Sequence, residues 1–328
     1  MLIHQFRKYS PLNILLIIGL GIVMGSGILL NFSSLYSLVD GSWEKSKIIP
    51  KELTKLLTPY AGVWISMVLI ILQGLSLNRL ITHYNIFKAA NYLTAGMYIS
   101  LSFALPDFLI FTPVVLCNFI LIRMLGKLFQ LGVMNEVRGL MFDMGLLIAL
   151  GTLLYYPFIA VLPLLWVALY VFRSFWWKEW IAPLFGFGVV YFMVALVYYI
   201  QDELHEFLPL LIPSFKEFHL PGSVHGKKEL LILIPVVPTL ILSAFALQKY
   251  FYKSVVHLRQ SFIVISYMIG FLVLSFFVFD SAKANHFLLL VPGLSIVFAY
   301  YYTYAVSKWI YESLFALLIV FAVFLQYV

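Results

Sequence analysis

Charge is scarce in this chain. Only 11% of its 328 residues are Asp, Glu, Lys or Arg, while 63% are hydrophobic. Soluble domains carry about a quarter charged residues, so a water-facing surface of ordinary size is excluded. Cysteine is nearly absent: Cys117 stands alone, and no intrachain disulfide framework exists. Soluble-enzyme signatures are missing as well, with no G-x-x-x-x-G-K-[ST] phosphate loop, no G-x-G-x-x-G, no C-x-x-C and no H-E-x-x-H. Chemistry in this chain must come from residues gathered from distant segments. The formal charge is +7, but the basic residues are scattered at the ends of apolar runs, which speaks against nucleic acid as a partner.

Long apolar blocks fill the space that charge leaves. Mean hydropathy is +1.01. From Pro11 to Val328, stretches of about 17–20 mostly uncharged residues recur, the length a helix needs to cross a bilayer. In lipid every backbone polar group must be paired internally, which leaves helices or a closed barrel. Barrel strands alternate polar and apolar over about ten residues. Blocks such as Ile232–Ala246 and Leu314–Leu325 are continuous instead. The pattern predicts an all-α polytopic transmembrane helical bundle, one domain over residues 1–328. About eleven spans are read, at Leu12–Leu30, Tyr60–Leu77, Ala89–Leu105, Phe108–Leu125, Gly139–Tyr155, Phe158–Phe172, Ile181–Ile200, Leu230–Leu247, Phe262–Phe279, Phe287–Tyr304 and Trp309–Val328. The first follows Arg7 and Lys8 and superficially resembles a signal peptide. It is too long for an apolar signal core and no A-x-A site follows, so an uncleaved first helix is expected.

Lys and Arg divide unevenly between the two sides. The side holding the N-terminus carries 13 of the 21, and the other side carries ten of the fourteen acids. The positive-inside rule then puts the N-terminus in the cytoplasm of a multi-pass inner-membrane protein. Two long polar segments, 31–59 and 201–229, face outward. In the first, Lys51–Leu57 sets Leu53, Leu56 and Leu57 on one helical face, predicting a short helix lying in the interface. Two other outer breaks, Leu105-Pro106-Asp107 and Tyr155-Tyr156-Pro157, read as tight turns joining antiparallel hairpins. On the cytoplasmic side, Phe175–Trp180 reads as an aromatic interfacial anchor.

Outer acids form one candidate set. Asp40 follows span one, Asp107 sits between spans three and four, and Asp202 and Glu203 follow span seven. Carboxylates so placed are suited to act as a general base or to bind a divalent cation through oxygen. Taken singly, each also reads as a solvated helix-end acid. A second set is Asp280–His286, where Lys283 and His286 at a helix mouth are suited to hold a phosphate. Asp143 lies near the cytoplasmic end of span five; an acid at depth needs a partner such as Arg138 or Arg123, and otherwise it reaches the cytoplasmic interface. His205, His219 and His225 match no zinc spacing, and the metal assignment stays open.

On Asp40, Asp107, the 201–229 loop and Lys283-Ala284-Asn285-His286-Phe287-Leu288-Leu289-Leu290-Val291-Pro292, the chain resembles a GT-C-type integral membrane glycosyltransferase. Asp40 is followed by Gly41 where that class has an Asp-Glu pair, so the resemblance is to a diverged member. It implies membrane lipids as surroundings and a polyprenyl-phosphate-linked sugar as donor. It also implies Asp40 as base, Asp107 with Asp202 or Glu203 orienting acceptor or metal, and Lys283 or His286 steadying the phosphate. More loosely, the chain is similar to multi-pass inner-membrane proteins of Bacteroidota, from which no activity follows. The sparse polar inventory leaves a non-catalytic scaffold or complex subunit as the alternative. Prolines within spans leave a transporter as a second, without a visible inverted repeat.

Overall fold

The structure, a computed structural model, describes residues 2–30, 59–87, 89–134, 136–205, 207, 229–251, 256–279, 284–305 and 307–327. These form twelve α-helices: α1 (Leu2–Phe6), α2 (Leu12–Leu30), α3 (Pro59–His83), α4 (Leu93–Ser102), α5 (Pro113–Gln130), α6 (Arg138–Leu154), α7 (Leu162–Phe172), α8 (Trp177–Ile200), α9 (Leu233–Phe251), α10 (Val256–Val278), α11 (Val291–Tyr304) and α12 (Lys308–Tyr327). Four 3-10 turns accompany them, at Pro106–Leu109, Tyr156–Val161, Glu229–Ile232 and Ala284–Leu290. Among the described residues seven segments are long and apolar enough to cross a membrane, so the chain is a multi-pass membrane protein. The remaining expected spans, 89–105, 139–155, 158–172 and 230–247, are helical too, but their described helices are shorter than a full crossing requires.

Proline sets several of the boundaries. The expected span Phe108–Leu125 begins instead at Pro113, which supplies the first turn of α5. Thr112 before it is extended, as a residue preceding proline prefers. The tight turn expected at Leu105-Pro106-Asp107 is therefore replaced by a longer connection, 103–112, that contains a 3-10 turn. Nor do α4 and α5 pair as a hairpin: α4 packs chiefly on α11 and α3, and α5 on α6 and α3. The break at Tyr155-Tyr156-Pro157 is tight as expected, with Tyr155 alone between α6 and the turn that runs into α7.

α4 is the centre of the bundle. Every residue of it is buried, and α2, α3 and α11 surround it. Such a position strips water from every polar atom, so each needs an internal partner. Tyr98 donates its hydroxyl to Gln73 Oε1 of α3 at 2.8 Å, and Gln73 donates to the Val115 carbonyl of α5 at 2.6 Å. Asn118 of α5 donates both to Tyr98 and, at 3.0 Å, to the Leu288 carbonyl. That last bond has a specific cause. Pro292 has no N–H to offer the carbonyl four residues before it.

The basic-rich end is closed by side chains that cap helix ends. Arg7 donates to the carbonyls of Tyr302 (2.7 Å) and Ala305 (2.9 Å) at the end of α11, and lies 4.6 Å over the Tyr311 ring. His257 and Gln260, in the first turn of α10, reach Phe129 O at 3.1 Å and Val171 O at 2.7 Å. The last turn of a helix leaves carbonyls without intrahelical donors, and these residues supply them. Asp143 pairs with Lys127 of α5 at 2.7 Å, not with Arg138 or Arg123. Arg138 opens its own helix one and a half turns away, off the face that Asp143 turns toward α5.

α8 is joined to the body mainly through α6, along a seam of glycines. A Cβ on Gly145 would overlap the Pro183 carbonyl, and one on Gly186 would overlap the Phe142 carbonyl. Small residues let membrane helices approach until their backbones touch, which is where association in lipid gains its packing energy. Gly186→Val should destabilise the protein by about 2 kcal/mol or prevent assembly, whereas Gly188→Ala, which would touch nothing, should not. Thermal unfolding of the two variants in detergent checks this; equal melting temperatures would refute the seam.

Candidate functional site

Helix lengths step down toward the middle of the acid-rich end. α4 spans ten residues, about 15 Å, half of a hydrocarbon core. Phe103 beyond it lies beside Gly25, five residues short of the end of α2. α5 starts lower still. Its third residue, Val115, is bonded by Gln73, which puts that start about 20 Å below the first residue of α3. α6 ends beside Tyr191, whose hydroxyl shares a hydrogen bond of 2.9 Å with Thr152, about 14 Å short of the end of α8. Among the described residues the ends of α4, α5 and α6 are thus the floor of a step, and α2, α3 and α8 stand above it. Both long polar segments leave from these taller helices.

Three of the 3-10 turns lie on this floor. Pro106–Leu109 packs on Ala284–Leu290, which also packs on α5 and α10, while Tyr156–Val161 packs on α6 and α10. Backbone without an α-helical ladder is tolerated at membrane depth only where protein covers it or water reaches it. Buried oxygens without a partner among the described residues include Ser102 Oγ, Thr112 Oγ1 and Asn118 Oδ1, at the ends of the helices this floor joins. Each such atom calls for a water, an ion or a functional partner.

Asp107 stands on the first of these turns. It is half-buried, and burial raises its carboxyl above the usual carboxylate range. Among the described residues it has neither a hydrogen-bond nor an ionic partner. It is an acid held at the floor and left available.

His286 stands on the adjoining turn, fully enclosed. Its Nε2 lies 2.8 Å from the Leu272 carbonyl and 2.9 Å from Ser275 Oγ. A carbonyl only accepts, so we assign the proton to Nε2. Nδ1 of the neutral ring then accepts from the Tyr155 hydroxyl at 3.0 Å. With both nitrogens engaged, His286 fixes Tyr155 rather than meeting a ligand itself. Tyr155, Ser275 and Asn118 were not singled out by sequence reasoning. The one signal for them was an uncharged polar residue interrupting an apolar run.

The other expected site residues lie elsewhere. Asp202 and Glu203 are exposed just past α8, at the height of the rim, and Asp202 takes a left-handed backbone (φ 58°) that ends the helix. No bond joins either to Asp107. Asp40 and Lys283 lie outside the described residues, as does the interfacial helix expected at 51–57. Among the described residues no three His, Cys, Asp or Glu side chains are gathered to hold a metal ion. Comparison with known proteins adds no further constraint: no family model, no curated protein and no solved structure matches the chain.

Asp107 also makes a stability prediction. A carboxyl whose pKa is raised by folding favours the protonated protein, so its contribution is present at low pH and lost as pH rises through the raised value. Asp107→Asn escapes that loss. Its melting temperature should exceed the native one at pH 7–8, with the gap closing toward about pH 4. A gap that does not change with pH would show the carboxyl to be unstrained.

Proposed function

We propose that the protein is an inner-membrane transferase of diverged GT-C type, with its N-terminus in the cytoplasm and eleven crossings. It moves a sugar from a polyprenyl-phosphate-linked donor at the outer face. The observation that carries this is Asp107, half-buried and unpartnered on the floor of the stepped end. A lipid-linked donor keeps its tail among the helices and needs no soluble nucleotide pocket. The step lets its head group meet protein below the level of the rim. The four shorter helices complete the bundle, and two of them, α4 and α6, form the step together with the low start of α5.

Chemically, the acceptor hydroxyl attacks the anomeric carbon and gives its proton to the Asp107 carboxylate. The bond from that carbon to the phosphate oxygen breaks, and its electron pair leaves with polyprenyl phosphate. A base whose pKa is raised toward neutrality does this better than an ordinary carboxylate. Asp107 thereby takes the role first assigned to Asp40. His286 acts as a positioning residue through Tyr155. Lys283, three residues before His286, neutralises the leaving phosphate, and Asp202 and Glu203 at the rim steer the acceptor.

A second reading, a non-catalytic complex subunit, is favoured by one fact: Asp107 is the one unpaired acid at floor level among the described residues. The test separates the two. With short-chain polyprenyl-phosphate hexoses as donors, Asp107→Asn should cut release of polyprenyl phosphate at least about 100-fold, and Asp107→Glu should restore part of it. Undiminished release by the Asn variant would sink the transferase site. No release by the native protein, together with a stable hetero-complex on purification, would favour the subunit.

A further inference from the structure

We infer that a groove between α6 and α8, at the basic-rich end, binds an anionic phospholipid, with its phosphate on Arg138 and Lys178 and an acyl chain below. The groove encloses about 420 Å³, within the range of small-molecule sites. Its wall is almost wholly apolar, built from Phe142 of α6 and Ile181 and Phe185 of α8. It opens where the two helices diverge from their glycine seam, since Gly145 and Gly186 hold them together only further in. Phe185 is 66% exposed, so the wall is presented to whatever fills the groove.

Charge decides the head group. Arg138 and Lys178 both line the mouth. The acids nearest them in sequence are committed or apart. Lys127 holds Asp143 at 2.7 Å, and Arg173 holds Glu179 at 3.6 Å. Glu136 is exposed and bonds to neither cation. Lys178 has only the Trp177 ring, 5.7 Å from Nζ to the centroid. Among the described residues the mouth therefore keeps two cations without a counter-ion. A phosphate accepts from guanidinium and ammonium together.

Depth decides the source of that phosphate. Phe175, Trp176 and Trp177 are exposed beside the mouth, and aromatic rings of this kind settle at the head-group level. On the orientation proposed above, on which this inference rests, the basic-rich end faces the cytoplasmic leaflet, where anionic lipids concentrate. A free phosphate would use the cations but not the apolar wall. An anionic phospholipid uses both.

Native mass spectrometry of the intact, delipidated protein tests this, with phosphatidylglycerol and phosphatidylcholine offered in equal amounts. The native protein should retain phosphatidylglycerol preferentially. Each cation contributes about fivefold, so Arg138→Gln with Lys178→Gln should lower that preference about 25-fold. Ala182→Trp, which fills the groove, should abolish retention of both lipids there. Lys308→Gln, an exposed cation on the same side, should change nothing. An unchanged preference in the double variant, an equal loss with Lys308→Gln, or displacement of the lipid by millimolar inorganic phosphate would each overturn the site.

Discussion

A carbonyl or amide that loses its helical partner inside a membrane has no water to turn to. The rest of this structure follows from that constraint. At several helix ends, and at Pro292, a polar side chain from elsewhere in the bundle sits on the freed group. Asn118 serves Leu288, Gln326 serves Phe103, Arg7 serves the end of α11, and His257 and Gln260 serve the ends of α5 and α7. The few polar residues in the apolar blocks are therefore spent largely on backbone. They join helices that packing alone would leave free to slide, because lipid tails are as apolar as leucine.

The same constraint explains why the stepped end is suited to chemistry. Stopping α4, α5 and α6 early creates irregular backbone at depth, and that backbone must be shielded or hydrated. The His286 network shields part of it. What remains is Asp107, which nothing neutralises among the described residues. Natural folds keep such destabilised groups where function needs them. The opposite end shows the contrast: there Lys127 and Arg173 pair the acids near the groove mouth, and the cations are in excess.

Element type was legible in the sequence because apolar length is the strongest signal a membrane protein carries. The expected spans overlap helices, and among the described residues seven segments reach full crossing length. Connections were less legible. Pro106 and Asp107 read as a hairpin turn, because nothing local reveals that Pro113 delays the next helix and that α4 pairs with α11 instead. The partner of Asp143 was misread for a similar reason. Basic residues in its own segment and the one before were visible, but the one that meets it, Lys127, is brought close only by the packing of α5 against α6. Of the site, Asp107 and His286 were legible as polar residues at helix mouths. That their turns adjoin depends on a contact between segments more than 170 residues apart in the chain, and that His286 is turned inward depends on its bonds to Tyr155 in one distant segment and to Leu272 and Ser275 on α10.

The central claim is that Asp107 sits on a floor reached from the outer face. Cysteine accessibility tests it directly, because the one native thiol, Cys117, is buried against the Gly151 carbonyl and serves as an internal control. Asp107→Cys, expressed in intact cells, should be labelled by a membrane-impermeant maleimide from outside while Cys117 stays unlabelled. Labelling of position 107 only from the cytoplasmic side, or only after the protein is unfolded, would contradict the account.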